Sequence, residues 1–272
     1  MEIATHGATG PEPSRTGYAE AADGTRIAYQ IEGEGPPLLL LAGQANNHHW
    51  WDGVREDFAP VRSTITLDYR GTGASGKPQT PYSTELFAED ALAVLDELAV
   101  PVADVYGTSM GGRAAQILAA TAPERVRRLV LGCTSPGGRH GVERDAGVRR
   151  SLGQLDREAA RRALAELMYT PGWLARHPEP HQTMGDPDMP DYARRLHLQA
   201  SAKHDAWDLL PAISARTLVL HGTDDVFNPT ANAPLLAGRI PEAHVELIEG
   251  ARHAYFEEFR ETAGKLVLEF LD

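Results

Sequence analysis

Ser109, Asp225 and His253 are the residues whose types and order could do chemistry together. Ser109 stands in Gly107-Thr108-Ser109-Met110-Gly111, where the apolar run "VADVY" gives way to the helical run "GGRAAQILAATA". A serine hydroxyl is a weak nucleophile until a base takes its proton, and a neutral histidine needs a third group to fix its tautomer. The neighbours Asp224 and Asp225 follow the apolar run "RTLVL", and His253 closes the stretch Gly250-Ala251-Arg252-His253. The chemistry implied is attack on an acyl carbon, with histidine carrying the proton and a carboxylate orienting it. The simpler reading of Ser109 is a helix cap, because its hydroxyl competes for backbone groups. Small residues two before and two after it favour a nucleophile elbow, where strand and helix would otherwise collide.

Three such residues meet only if the elements before them are parallel strands. "TRIAYQI" alternates like a half-exposed strand, and "PLLLLAG" and "STITLDY" read as short buried ones. Helical spacing fills "STELFAEDALAVLDELAV", capped by Ser83 or Thr84, with Leu86, Ala91, Leu92, Leu95 and Leu98 able to share a face. "RVRRLVLGC" is a further strand. From Thr134 to about Ala212 no strand pattern follows, only the helical stretches "LDREAARRALAELMY" and "YARRLHLQASAKHDAWDLL" around a segment containing Pro, Gly and Met. The alternation then resumes with "RTLVLHG", "TANAPLLAGRI", "AHVELIEG" and "FEEFRETAGKLVLEFLD". The expected fold class is α/β, a mostly parallel sheet with helices on both faces and a helical cap insertion. The expected domains are a loose tail over 1–15, a core made of 16–134 and 213–272, and a cap over 135–212.

The chain has 272 residues and a formal charge of −12, which argues against a nucleic-acid partner. Of 26 basic residues only Lys77, Lys203 and Lys265 are lysine, a compositional bias and not a site. The cap region balances 11 basic against 11 acidic residues, so the excess negative charge falls on the rest. The single cysteine, Cys133, forms no intrachain disulfide and suits a reducing compartment. The first residues lack a signal-peptide core, and the longest apolar runs, such as "LLLLA", are too short to span a bilayer. The expectation is a cytoplasmic protein with no membrane partner; the oligomeric state has no signal in the pattern.

With those residues in view, the chain resembles the α/β-hydrolase fold family from about Gly17 to Asp272, least so in the cap. Besides the elbow, "LDYRGTGASGKP" is similar to the family's D-x-R-G-x-G-x-S loop. "GTDDVFNP" is similar to its G-x-x-D-x-x-x-P acid loop, which selects Asp225 over Asp224. The resemblance implies an oxyanion hole from the backbone N–H of Met110 and that of Gln44. Where the family reads His-Gly-x, this chain reads Ala42-Gly43-Gln44. It further implies a cofactor-independent serine hydrolase of carboxylic esters or lactones. Carbon–carbon bond hydrolases, thioesterases and perhydrolases use the same triad, and receptor or cyclase-like members keep the pocket without hydrolysis. Ala254 after His253, where carbon–carbon hydrolases commonly carry Trp, weighs against the first of these.

The remaining candidates read as follows. His48, His49, Trp50 and Trp51 follow the oxyanion loop, and Met168, Trp173 and Trp207 lie in the cap; all seven are candidates for lining a pocket, with core packing as the alternative. Cys133 reads as a small core residue and His221 as structural. His177 and His181 are four apart, but Pro178 and Pro180 prevent the helix that would pair them, so no metal is expected.

Overall fold

The computed structural model describes residues 14–148, 157–178 and 182–272. Eight strands form one sheet: β1 (Arg15–Glu20), β2 (Arg26–Glu32), β3 (Pro37–Leu41), β4 (Ser63–Leu67), β5 (Ala103–Thr108), β6 (Val126–Gly132), β7 (Arg216–Gly222) and β8 (Ala243–Ile248). Their order across the sheet is β1-β2-β4-β3-β5-β6-β7-β8. β1 and β2 run antiparallel to their neighbours, and the other pairings are parallel. Leu38, Leu39, Val105, Leu129, Val130, Leu131, Val219 and Leu220 are fully buried, as expected where helices cover both faces of a parallel sheet.

The helices described here are α1 (Arg55–Phe58), α2 (Thr84–Glu97), α3 (Met110–Thr121), α4 (Arg157–Met168), α5 (Pro171–Arg176), α6 (Asp191–Lys203), α7 (Asn232–Ala237), α8 (Tyr255–Glu258) and α9 (Arg260–Leu271). Ser83 caps α2, its hydroxyl accepting from the Leu86 N–H at 3.1 Å. The buried face of α2 is Phe87, Ala88, Ala91, Val94 and Leu95, whereas Leu86, Leu92 and Leu98 are only half-buried. The leucine pattern was therefore rotated from the true seam, because Phe87 and Val94 seat deeper than the leucines flanking them.

Two boundaries differ from expectation. Arg15, placed with the tail, already belongs to β1 and pairs with Ile31; residues 1–13 lie outside the described residues. β1 has an exposed, polar pattern because it is an edge strand with one neighbour, so it carried no strand signal. The helix expected over Tyr192–Leu210 ends at Lys203, and a short 3₁₀ turn occupies Leu210–Ala212.

Between β6 and β7 the described residues hold helices and no strand, apart from one isolated bridge between Gly137 and Asp205. Around that bridge, Gly138 N–H donates to His204 O and Ala206 N–H to Pro136 O, each at 2.9 Å. The two ends of the segment are thus tied to each other. No helix among the described residues is long and apolar enough to cross a membrane.

Candidate active site

In a parallel sheet all carboxyl ends fall on one edge, and the residues just beyond them become neighbours. β5, β6, β7 and β8 end at Thr108, Gly132, Gly222 and Ile248, so Ser109, Asp225 and His253 follow on the same edge. β3 and β5 are neighbours, and the chain leaves β3 toward β4 on one side and β5 toward β6 on the other, the place where open α/β sheets form a crevice.

Ser109 has φ 56° and ψ −119°, a region that L-residues rarely occupy. The turn is tight enough to exclude side chains on either side. A Cβ on Gly107 would stand 2.3 Å from Gly111 O, and one on Gly111 2.1 Å from Leu41 O. Those contacts are the physical content of the two glycines. The Ser109 backbone is tied by its N–H to Gly132 O at 2.9 Å and by its C=O to the Thr134 hydroxyl at 2.7 Å. Met110 opens α3, so its N–H belongs to the first turn, which has no helical acceptor.

Asp225 Oδ2 lies 2.7 Å from His253 Nδ1 and 3.2 Å from His221 Nε2. Its other oxygen accepts from the N–H groups of Phe227 (2.9 Å) and Asn228 (2.8 Å). Burial alone would raise this carboxyl's pKa, but the charge of His253 and hydrogen bonds from His221 and His253 outweigh it and hold it well below the usual range. Asp224 is exposed, so of the adjacent pair only Asp225 faces the histidine. His253 is fully buried, and Phe227 packs edge-on against its ring at 4.7 Å. Its Nε2 has no hydrogen-bond partner, and Ser109 Oγ makes no hydrogen bond to it in this structure.

His221, read as structural, touches Asp225 directly while its Nε2 also meets Asn228 O at 2.8 Å. Its signal in the sequence was its place at the end of β7, four residues before the acid. Cys133 is fully buried with φ 38°, and burial pushes its thiol well above the ordinary value.

The loop after β3 turns through Gly43-Gln44-Ala45-Asn46, with Asn46 N–H donating to Gly43 O at 3.3 Å. Trp50 Nε1 donates to Thr108 Oγ1 at 2.9 Å, and its ring covers Gly43, where a Cβ would stand 2.5 Å from it. Trp50 therefore braces both the elbow and this loop from below. Trp51 is fully buried against Tyr106 and Phe256, a core residue.

The two histidines that follow the oxyanion loop each pair with a carboxylate. His49 is exposed and pairs with Asp52 at 2.6 Å. His48 Nδ1 meets Asp68 Oδ1 at 2.7 Å and lines a cavity of about 190 Å³ with Tyr29 and Thr16, against β1 and β2. Burial would lower the pKa of His48, but the hydrogen bond and charge of Asp68 win and raise it. Met168 is buried and its carbonyl accepts from Ala254 N–H at 2.8 Å. Trp173 stacks on His177 at 3.8 Å, and Trp207 on His140 at 4.3 Å, both half-buried. His181 lies outside the described residues, and the described ones include no cluster suited to a metal ion.

The sequence matches the alpha/beta hydrolase fold family over residues 36–259, and the chain belongs to that family. It is an enzyme of the hydrolase class, as its relatives are. It is 30% identical over 265 residues to the protein assigned as carbamate hydrolase RutD in Azorhizobium caulinodans, covering 93% of this chain and 97% of that one. Among solved structures, a hydrolase from Pseudomonas aeruginosa PA01 superimposes with a TM-score of 0.81 at 28% identity, covering 94% of this chain and 98% of the other. Est816, described as an N-acyl homoserine lactone degrading enzyme, gives a TM-score of 0.80 at 29% identity, covering 93% and 100%.

Proposed function

We propose that this chain is a cofactor-independent serine hydrolase of small-molecule carboxylic esters or lactones. The observation that carries the reading is the Asp225–His253 pair at 2.7 Å, whose far nitrogen is buried and unpartnered on the sheet edge that carries Ser109. Ser109 attacks the carbonyl carbon, and His253 Nε2 takes the hydroxyl proton. Asp225 holds Nδ1 as the donor and stabilises the imidazolium that forms. The N–H groups of Met110 and Gln44 receive the oxyanion, each such donor being worth roughly 3 kcal/mol in comparable enzymes. His253 then returns the proton to the leaving group, and water activated by the same nitrogen frees the acyl-enzyme. Residues 135–212 act as the cap over this edge.

The test is turnover of a panel of short and bulky esters and lactones by the wild type and Ser109→Ala. Carbamates belong in the panel, since a relative at 30% identity is assigned to that class and the same three groups would attack such a carbonyl. Loss of turnover by a factor on the order of 10⁶ in the variant is expected. Undiminished turnover by Ser109→Ala would overturn the proposal.

A further inference from the structure

The segment between β6 and β7 grips the loop after β3 at two adjacent residues, Ala45 and Asn46. The Ala45 N–H donates to His197 Nδ1 at 3.3 Å, and the Ala45 C=O accepts from Asp186 N–H at 2.7 Å. Beside it, Asn46 Oδ1 accepts from Gly185 N–H at 2.9 Å. Ala45 has φ 59°, left-handed backbone that an alanine keeps only when its surroundings hold it there.

This grip reaches the candidate oxyanion donor through the peptide plane. Gly43 O accepts from Asn46 N–H, and Gln44 O from Asn46 Nδ2 at 2.8 Å. In a trans peptide the N–H points opposite to the C=O. The bond to Gly43 O therefore turns the Gln44 N–H the other way, and whatever fixes Ala45 and Asn46 fixes that direction. Position 42 is alanine, and besides Trp50 the loop is held by His197 on α6 and by Gly185 and Asp186 just before that helix.

His197 is built for one tautomer. It is fully buried, its Nε2 donates to Arg70 O at 2.9 Å, and Phe87, Tyr82 and Tyr69 pack around the ring at 4.9, 5.6 and 6.2 Å. A backbone N–H on one side and a carbonyl on the other leave Nδ1 as acceptor and Nε2 as donor.

We infer that His197 is a positioning residue for the oxyanion loop, holding the Gln44 N–H in place through Ala45. The inference rests on the proposed role of Gln44. Two substitutions separate the ring's two bonds. His197→Asn places an amide oxygen where Nδ1 stands and keeps the Ala45 contact. His197→Gln places its amide near Nε2 and keeps Arg70 but releases Ala45.

The experiment compares kcat, KM and amide exchange of residues 43–47 in the two variants and the wild type. His197→Gln is expected to lose about 10-fold to 100-fold in kcat with KM little changed, as for a misplaced catalytic group, and to exchange these amides at least ~10-fold faster. His197→Asn is expected to stay near wild type in both. Equal losses in both variants, or wild-type values in His197→Gln, would overturn the inference. If no member of the ester and lactone panel is turned over, the proposed function fails, while the exchange comparison still decides whether His197 holds the loop. Should His197→Gln not fold, a through-hydrogen-bond coupling between Ala45 N and His197 Nδ1 in the wild type takes its place, and its absence sinks the idea.

Discussion

Asp225 shares one carboxylate oxygen between two imidazoles, His253 Nδ1 at 2.7 Å and His221 Nε2 at 3.2 Å, while its other oxygen is filled by two backbone N–H groups. A carboxylate with four such partners is fixed in place and stays ionised. Removing its charge disturbs the tautomer of His253 more than its position. Asp225→Asn is therefore expected to lower kcat by about 10⁴, by analogy with serine-protease triads. Asp224→Asn, one residue away and exposed, is expected to leave kcat within a few-fold. Steady-state kinetics of the two variants decides it, and the reverse order of effects would refute the assignment of the acid.

The elbow glycines make a stability prediction. A Cβ at Gly111 would press against Leu41 O at 2.1 Å, and a backbone carbonyl cannot swing aside as a side chain can. Gly111→Ala should cost about 3 kcal/mol, read as a lower urea midpoint with the slope preserved. An unchanged midpoint would mean that β3 and α3 are not locked together as described.

The loop after β4 is held by a buried ion pair. Arg70 is fully buried, with Nε and Nη2 donating to Asp90 at 2.8 and 2.6 Å and Nη1 to the half-exposed Asp23 at 2.7 Å. Asp90→Ala leaves a buried guanidinium short of its main counter-charge and should cost about 3–5 kcal/mol. Asp23→Ala should cost about 1 kcal/mol or less, because water already screens that pair. The hydrogen bond from Arg70 holds the Asp23 carboxyl down to about 2, so protonating it requires strong acid. Denaturant titration of both variants is the measurement, and equal costs would contradict the assigned burial.

Acid should loosen the β6–β7 segment before it protonates the site carboxylate. Burial lowers the pKa of His197 to about 4 and that of His204, which meets the Thr84 hydroxyl at 2.9 Å, to about 3. An unfolded histidine takes its proton near pH 6.5. Below that pH the unfolded chain binds more protons than the folded one, so stability falls as pH falls. The fall ends near pH 4 for His197 and near pH 3 for His204, once the folded state is protonated too. Buried carboxylates with lowered pKa act in a separate window, below about pH 4. Unfolding midpoints at pH 7, 5.5 and 4.5 should decline, and less steeply in His204→Asn. A flat profile would remove both histidines as the cause, and an identical slope in the variant would remove His204.

The parts of the fold readable in the sequence are those set by local periodicity and turn chemistry. β2 to β7 stand out as apolar runs because each is covered on at least one face, and the elbow stands out because strand and helix meet there through glycines. β8, an exposed edge strand like β1, was readable from Val245 and Ile248 and from its place between two helical stretches. The acid and histidine follow strands in the order the fold expects, and the resemblance of "GTDDVFNP" to the family's acid loop selected Asp225. β1 had no such signal, since an edge strand with exposed side chains needs no apolar pattern. The face of α2 was rotated for a related reason: several phases of a leucine-rich helix satisfy the same spacing, and packing against the sheet selected Phe87 and Val94.

What the sequence by itself determined, then, is the strand and helix alternation, the strained turn at Ser109 and the set of residues carried past the strand ends. What only the tertiary structure decided is which groups touch. His221 shares an oxygen of Asp225 with His253, His48 pairs with Asp68, and α6 holds Ala45 across 152 positions of chain. Local propensity is read within a few residues, whereas hydrogen-bond direction at a packed loop depends on distant partners arriving together. No spacing rule written along one chain contains that information.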